Sequence, residues 1–213
     1  MPLTKLPNKI INKYKKWKTN TFIKNKATYK KLALEGQSPI AMIISCCDSR
    51  VHATSMFGAE IGEFFIHRNI ANLIPPYNPD GDHHGTSAAI EFAVCALKVP
   101  HIIVLGHSNC GGIKNGYHLC KGDQVNEELL FVNKWLDILK PAYDMLVQLS
   151  DEKAMISMLE KQSIINSIQN LSDFPFVQKA LSSNEILIHG LWNNIGTGEL
   201  EMLDPKSMLF ESL

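Results

Sequence analysis

The chain has 213 residues, 21 basic and 21 acidic side chains, 45% apolar and 20% charged residues, and five cysteines. That is enough chain to bury one sizeable core, and the balance excludes a disordered or strongly polyionic protein. No apolar run reaches the roughly 18 residues of a membrane span, Met1–Lys5 leads into no apolar signal core, and an odd cysteine count makes no disulfide framework; a soluble, cytoplasmic protein with reduced thiols is expected.

Ten lysines, Lys5 to Lys31, precede the first acid, Glu35. Within that stretch Leu6, Ile10, Ile11, Tyr14 and Trp17 recur at helical spacing, so one face is apolar and needs a surface to pack on. Residues 1–35 therefore read as a helical arm packed on the body or on a partner subunit, and residues 36–213 as the body of the chain. A nucleic-acid role would rest on the lysines alone, and neither a nucleic-acid nor a membrane partner is expected.

Beyond the arm the pattern changes. Ile40–Cys46, Glu63–His67, His101–Gly106 and Glu185–His189 are short continuous apolar runs, as strands buried on both faces are. Thr86–Val99 carries Ile90, Ala93, Val94 and Leu97 at helical spacing behind Thr/Ser capping candidates. Glu127–Leu149 and Asp151–Leu171 also read as helices, the first broken or kinked by Pro141. Strands alternating with helices predict an α/β fold, a mostly parallel central sheet flanked by helices.

Two motifs follow predicted strands: Cys46-Cys47-Asp48-Ser49-Arg50 and His107-Ser108-Asn109-Cys110-Gly111-Gly112. The carboxyl ends of parallel strands form the rim where ligands bind, so both motifs should meet there. Cys46, His107 and Cys110 would supply two thiolates and one imidazole, a zinc set that leaves a fourth position open, as catalytic sites do. Zn²⁺ with two thiolates is formally neutral, and so acidifies water less than zinc held by imidazoles alone; activity favouring mildly alkaline pH is expected.

With these motifs the chain resembles the β-class carbonic anhydrases, particularly their plant-like branch. The likeness runs from about Gly36 to Asp204 and is carried by Gly36-Gln37-Ser38-Pro39, Cys46–Val51, His67-Arg-Asn-Ile-Ala-Asn72, Gly85–Glu91 and Gly106–Gly112. It implies that family's fold, with an N-terminal arm embracing a second subunit, hence a homodimer or a dimer of dimers. It also implies one zinc per chain and reversible hydration of CO₂ to bicarbonate and a proton by zinc-bound hydroxide. Asp48 would orient the hydroxide and Arg50 would hold Asp48. Gln37, Phe65, Ile70 and the backbone of Gly111 match substrate-pocket positions. Phe92 stands where many plant-like members carry Tyr, so one pocket hydroxyl is lost. An inhibitory bicarbonate site known in another branch needs a Trp and a Tyr where this chain has Ile43 and Asn193; it is not expected, although Arg68 is present.

Other residues carry less. His83-His84 reads as a solvated loop, His189 as a hydrogen-bonded core residue at a strand end, and Cys47, Cys95 and Cys120 as free thiols, Cys95 on a buried helix face. A relative hydrolysing CS₂ or COS would use the same ligands. A non-catalytic zinc module would have no use for the Asp–Arg pair.

Overall fold

The computed structural model describes residues 3–81, 84–124, 126–147 and 149–213. The chain divides into two compact units, Met1–Ser38 and Pro39–Leu213.

The first unit holds helices α1 (Asn8–Trp17) and α2 (Lys26–Glu35), joined through a π-helical turn at Lys18–Phe22. Lys15 and Lys16 sit in the last turn of α1, where the carbonyl end of the helix dipole favours cations. Trp17, Phe22 and Tyr29 gather their rings, with centroids 5.1–6.0 Å apart, and Gly36 at φ 85° ends α2 in a backbone conformation that side chains resist. Leu6, Ile10, Tyr14 and Trp17 are exposed in the single chain.

The second unit is built on a six-stranded sheet. Its strands are β1 (Ala41–Cys46), β2 (Phe64–Asn69), β3 (His101–His107), β4 (Leu187–Asn193), β5 (Leu200–Leu203) and β6 (Phe210–Ser212), in the order β2-β1-β3-β4-β5-β6. The first four run parallel and the last two antiparallel. Every residue of β1 is buried, which explains its unbroken apolar sequence; β2, at the sheet edge, is only half-buried. The helices are α3 (Ala53–Met56), α4 (His84–Glu91), α5 (Gly111–Lys121), α6 (Leu130–Leu136), α7 (Lys140–Asp144), α8 (Glu152–Ser172) and α9 (Pro175–Ser182). Among the described residues no helix is long and apolar enough to cross a membrane.

The main core lies between one sheet face, with Met42, Ile44, Ile102 and Val104, and Ile90 of α4, Ile164 of α8 and Val177 of α9. Two glycines let α8 lie directly on that face. A Cβ at Gly106 of β3 would stand 2.7 Å from Ile164, and one at Gly190 of β4 would stand 3.0 Å from it. A second cluster, with Leu73, Ile113, Leu136, Leu139 and Leu159, lies around α5 and abuts Cys46 and Cys110.

The elements refine the sequence reading in several places. Thr86–Val99 is not one α-helix: α4 passes into a π-helical turn at Phe92–Ala96. Ala93 and Val94 take the core positions and the wide turn carries Cys95 round to solvent, so Cys95 is exposed rather than on a buried face. Pro141 does interrupt Glu127–Leu149, by opening α7, where its missing N–H leaves no helical bond unmade. Asp151 caps α8 by accepting from Lys153 N at 2.9 Å. His189 lies inside β4, not at its end, and bonds His101 across to β3 at 3.1 Å. His83 lies outside the described residues, and His84 opens α4.

Candidate metal centre

Cys46 is the last residue of β1 and His107 the last of β3, neighbouring parallel strands, so their side chains reach the same rim of the sheet. Cys110 follows three residues after His107 and caps the N-terminus of α5. The turn between them is sharp because Asn109 takes φ 54°, a left-handed conformation that Asn tolerates better than most residues. All three side chains are buried, and their ligand atoms lie within 4.8 Å of one another, with 3.9 Å between the two sulfurs.

The donor chemistry fits zinc. His107 Nδ1 donates to the Ser108 carbonyl at 2.9 Å, which leaves Nε2 with a bare lone pair. That Nε2 is buried and, among the described residues, has no hydrogen-bond partner, a state that costs stability unless a cation meets it. The sulfurs tell the same story. The bond from Cys110, then the nearness of the His107 ring and the N–H groups of Asp48 and Ala71, draw the Cys46 thiol well below its ordinary range against the effect of burial. Cys110 is pushed up by the same bond to Cys46 and by burial, so without a cation the two sulfurs hold one proton between them. The N–H groups of Gly112 and Ile113 make no full cap bond to Cys110, yet their dipoles favour its ionised form, as at other helix N-termini. A divalent cation completes this set.

Asp48 stands at the mouth of the triangle, its Oδ2 4.0 Å from His107 Nε2. Arg50 grips it as a fork: Nε donates to Oδ1 at 2.9 Å and Nη2 to Oδ2 at 2.7 Å, while the Arg50 backbone N–H also reaches Oδ1 at 2.9 Å. These bonds hold the Asp48 carboxyl well below the usual carboxylate range. Arg50 Nη2 also donates to the Asn109 carbonyl at 3.1 Å, so one guanidinium ties both motifs together.

Several contributors escaped the sequence reading. Arg68, noted there only as a remnant, donates to the carbonyls of Cys46 (2.9 Å), Asp48 (2.7 Å) and Val51 (2.9 Å), fixing the whole first loop. Asn69 bonds both backbone groups of Leu73 and so closes the turn at Ile70–Asn72, which Trp135 secures from outside through Ile70 O at 2.8 Å. In that turn Ala71 sits at φ 64°, which directs its N–H toward Cys46. Glu160 of α8, buried and pushed up by that burial, accepts the Cys110 N–H at 3.1 Å. The chain marks none of these by spacing, since each acts through main-chain groups. A buried carboxylate on α8 is the signal that could have found Glu160.

The remaining expected pocket residues are spread more widely. Ile70 is partly exposed and lies against Gly112, where an added Cβ would come 2.9 Å from it. Gly111 opens α5 and is exposed. Phe65 and Phe92 meet each other at 5.8 Å, Phe65 against the main core and Phe92 half exposed. Gln37 is exposed and belongs to the first unit. Cys47 is exposed one residue past the end of β1.

A family model described as carbonic anhydrase matches residues 41–200. β-Carbonic anhydrase 3 of Arabidopsis thaliana is 36% identical over 197 residues, covering 90% of this chain and 75% of that protein. The solved structure of the β-carbonic anhydrase CcaA superposes with a TM-score of 0.84 at 28% identity, covering 97% of this chain and 91% of that one. A tetrameric β-carbonic anhydrase from Sordaria macrospora superposes at 0.77 with 29% identity, covering 92% and 95%. With a buried thiolate–thiolate–imidazole site at the strand ends and a family match across most of its length, the chain belongs to the β-carbonic anhydrases, a family of zinc enzymes.

Proposed function

We propose that this carbonic anhydrase hydrates CO₂ reversibly to bicarbonate and a proton, with Cys46, His107 and Cys110 as the zinc ligands and Asp48 and Arg50 as the orienting pair. The observation that carries the reading is the convergence of two buried sulfurs and a partnerless imidazole nitrogen within 4.8 Å, beside a carboxylate locked to an arginine. Zinc held by these three residues would supply Lewis-acid activation of a water. Asp48, kept ionised by Arg50, can only accept a hydrogen bond, so it would hold the proton of a water or hydroxide at the mouth of the site and leave that oxygen's lone pair free to face CO₂. Arg50 keeps that carboxylate from turning elsewhere, and its bond to Asn109 O holds the two loops at constant separation. Ile70 supplies an apolar wall beside Gly112, suited to an uncharged substrate. Phe65, Phe92 and the Gly111 N–H complete the substrate pocket in this reading.

The same reading makes residues 1–35 an arm, residues 36–213 the catalytic domain, and the working form a cytoplasmic homodimer or dimer of dimers. An amphipathic α1 with exposed Ile10, Tyr14 and Trp17, and the tetrameric state of the Sordaria relative, support it. The test is metal analysis paired with a CO₂ hydration assay and sedimentation of the same preparation. One zinc per chain, rapid proton release from CO₂ and a species of two or four chains are expected. Zinc without hydration overturns the activity, and a monomer at micromolar concentration overturns the assembly.

A further inference from the structure

Glu160 is the one buried carboxylate among the described residues, 3% exposed. Burying such a group costs several kcal/mol unless its oxygens are well bonded. Each oxygen holds one N–H: Oε1 accepts from Cys110 N at 3.1 Å and Oε2 from Trp192 Nε1 at 3.3 Å. The packing of α8 explains the reach. Ile164 rests on the bare backbone of Gly106 and Gly190, and Glu160, one turn earlier on the same helix face, is thereby brought to the cap of α5.

Trp192 is itself held from the far side. Lys161 Nζ lies 4.6 Å from its ring centroid and 5.5 Å from that of Phe210, and bonds Glu201 at 2.5 Å. A continuous set of contacts thus runs from the β5–β6 hairpin through Lys161 and Trp192 to Glu160, and ends on the backbone of Cys110.

We propose that Glu160 is a positioning residue for the metal centre: bridging Trp192 Nε1–H and Cys110 N–H, it fixes the Cys110 backbone and with it the direction in which the Cys110 sulfur faces the metal. The inference rests on the reading of Cys110 as a zinc ligand. A carboxylate suits the task because both oxygens accept. Glutamine offers one acceptor and an NH₂ that would face one of the two N–H donors, so Glu160→Gln keeps the shape and breaks one arm of the bridge. Trp192→Phe keeps an aromatic ring beneath Lys161 and removes only the donor. Lys153 lines the same cavity of about 510 Å³ as Glu160 and Trp192, without a bond to Cys110, and serves as the control.

The experiment measures zinc affinity by competition with a chromophoric chelator, and the thiolate-to-metal and ligand-field bands of the cobalt(II)-substituted protein. Glu160→Gln should weaken zinc binding about 10–100-fold and shift the cobalt bands, Trp192→Phe should do so several-fold, and Lys153→Ala should leave both unchanged. Wild-type affinity and cobalt spectrum in a natively folded Glu160→Gln overturn the proposal, as does an equal loss in Lys153→Ala. If Glu160→Gln does not fold, Trp192→Phe decides by the same two readouts. A wild-type chain that retains no zinc overturns the zinc reading itself, a distinct result.

Discussion

The two loops that meet at the metal centre are held by opposite means. Cys46–Val51 turns its carbonyls inward, and a cation takes them: Arg68 binds three, at Cys46, Asp48 and Val51. Asn109–Gly112 begins a helix and turns N–H groups inward, and an anion takes one, Glu160 at Cys110. The difference follows from local structure, because a chain leaving a strand presents unpaired carbonyls whereas a helix start presents unpaired amides. Arg50 crosses between the two, bonding Asp48 on one and Asn109 O on the other. The site is thus fixed chiefly through main-chain groups, which leaves the side chains at its mouth to the chemistry.

The comparison predicts a hierarchy of effects. Cys46→Ser should abolish most zinc binding and hydration, because a hydroxyl is a poor ligand for this metal, while its exposed neighbour Cys47→Ser should retain both. Zinc content by atomic absorption reads both variants, and zinc lost by Cys47→Ser but kept by Cys46→Ser would move the ligand by one residue. Next comes Asp48→Asn. It leaves all three ligands in place but removes the acceptor-only charge that Arg50 orients, so hydration should fall roughly 10²-fold at near-normal zinc content. Arg50→Ala should act similarly and also free the Asn109 carbonyl. Wild-type hydration in both, at full zinc occupancy, would make the pair structural.

Arg68→Met tests the first loop alone. The substitution keeps the apolar stem and leaves three carbonyls without their shared donor, which should cost about 2–3 kcal/mol of stability, roughly 5–10 °C in melting temperature. Zinc should also be released sooner on heating, since the Cys46 carbonyl is one of the three. A melting temperature within a degree of wild type would show that the loop holds itself.

This division explains what could be read from the chain. Cys46, His107 and Cys110 stand out because a metal demands particular side chains at strand ends, and the strands stand out because burial on both faces demands unbroken apolar runs. Arg68 and Glu160 did not stand out, because they serve chiefly backbone groups, which every residue has, and because their partners lie 17–22 and 32–50 positions away. The β5–β6 hairpin went unread for another reason: its strands have four and three residues at a half-exposed edge, too short for periodicity to declare them. α5 was missed because its first residues, Gly111 and Gly112, are poor helix formers; the second is required because a Cβ at Gly112 would strike Ile70.

The smallest expected effect lies at the opposite end of β3 from His107. His101 Nδ1 and His189 Nε2 meet at 3.1 Å, an arrangement that needs one of the rings to supply a proton and the other a lone pair. Burial, and secondarily the charge that His101 would carry, hold His189 below the ordinary histidine range, and burial does the same to His67. The sign follows directly. In the unfolded chain these rings take up protons near pH ~6.5, while in the folded protein they resist until lower pH. The unfolded state therefore binds more protons as pH falls through that range, so their contribution to stability is present above it and is lost on acidification. Metal-free protein isolates the effect from acid release of zinc. In it, His189→Gln should flatten the fall of melting temperature between pH 7.5 and 5.5 by about a degree or two, without the loop-wide loss expected of Arg68→Met. An unchanged slope would assign the acid sensitivity to His67 or to the emptied ligand triangle, and a double variant with His67→Gln separates those two.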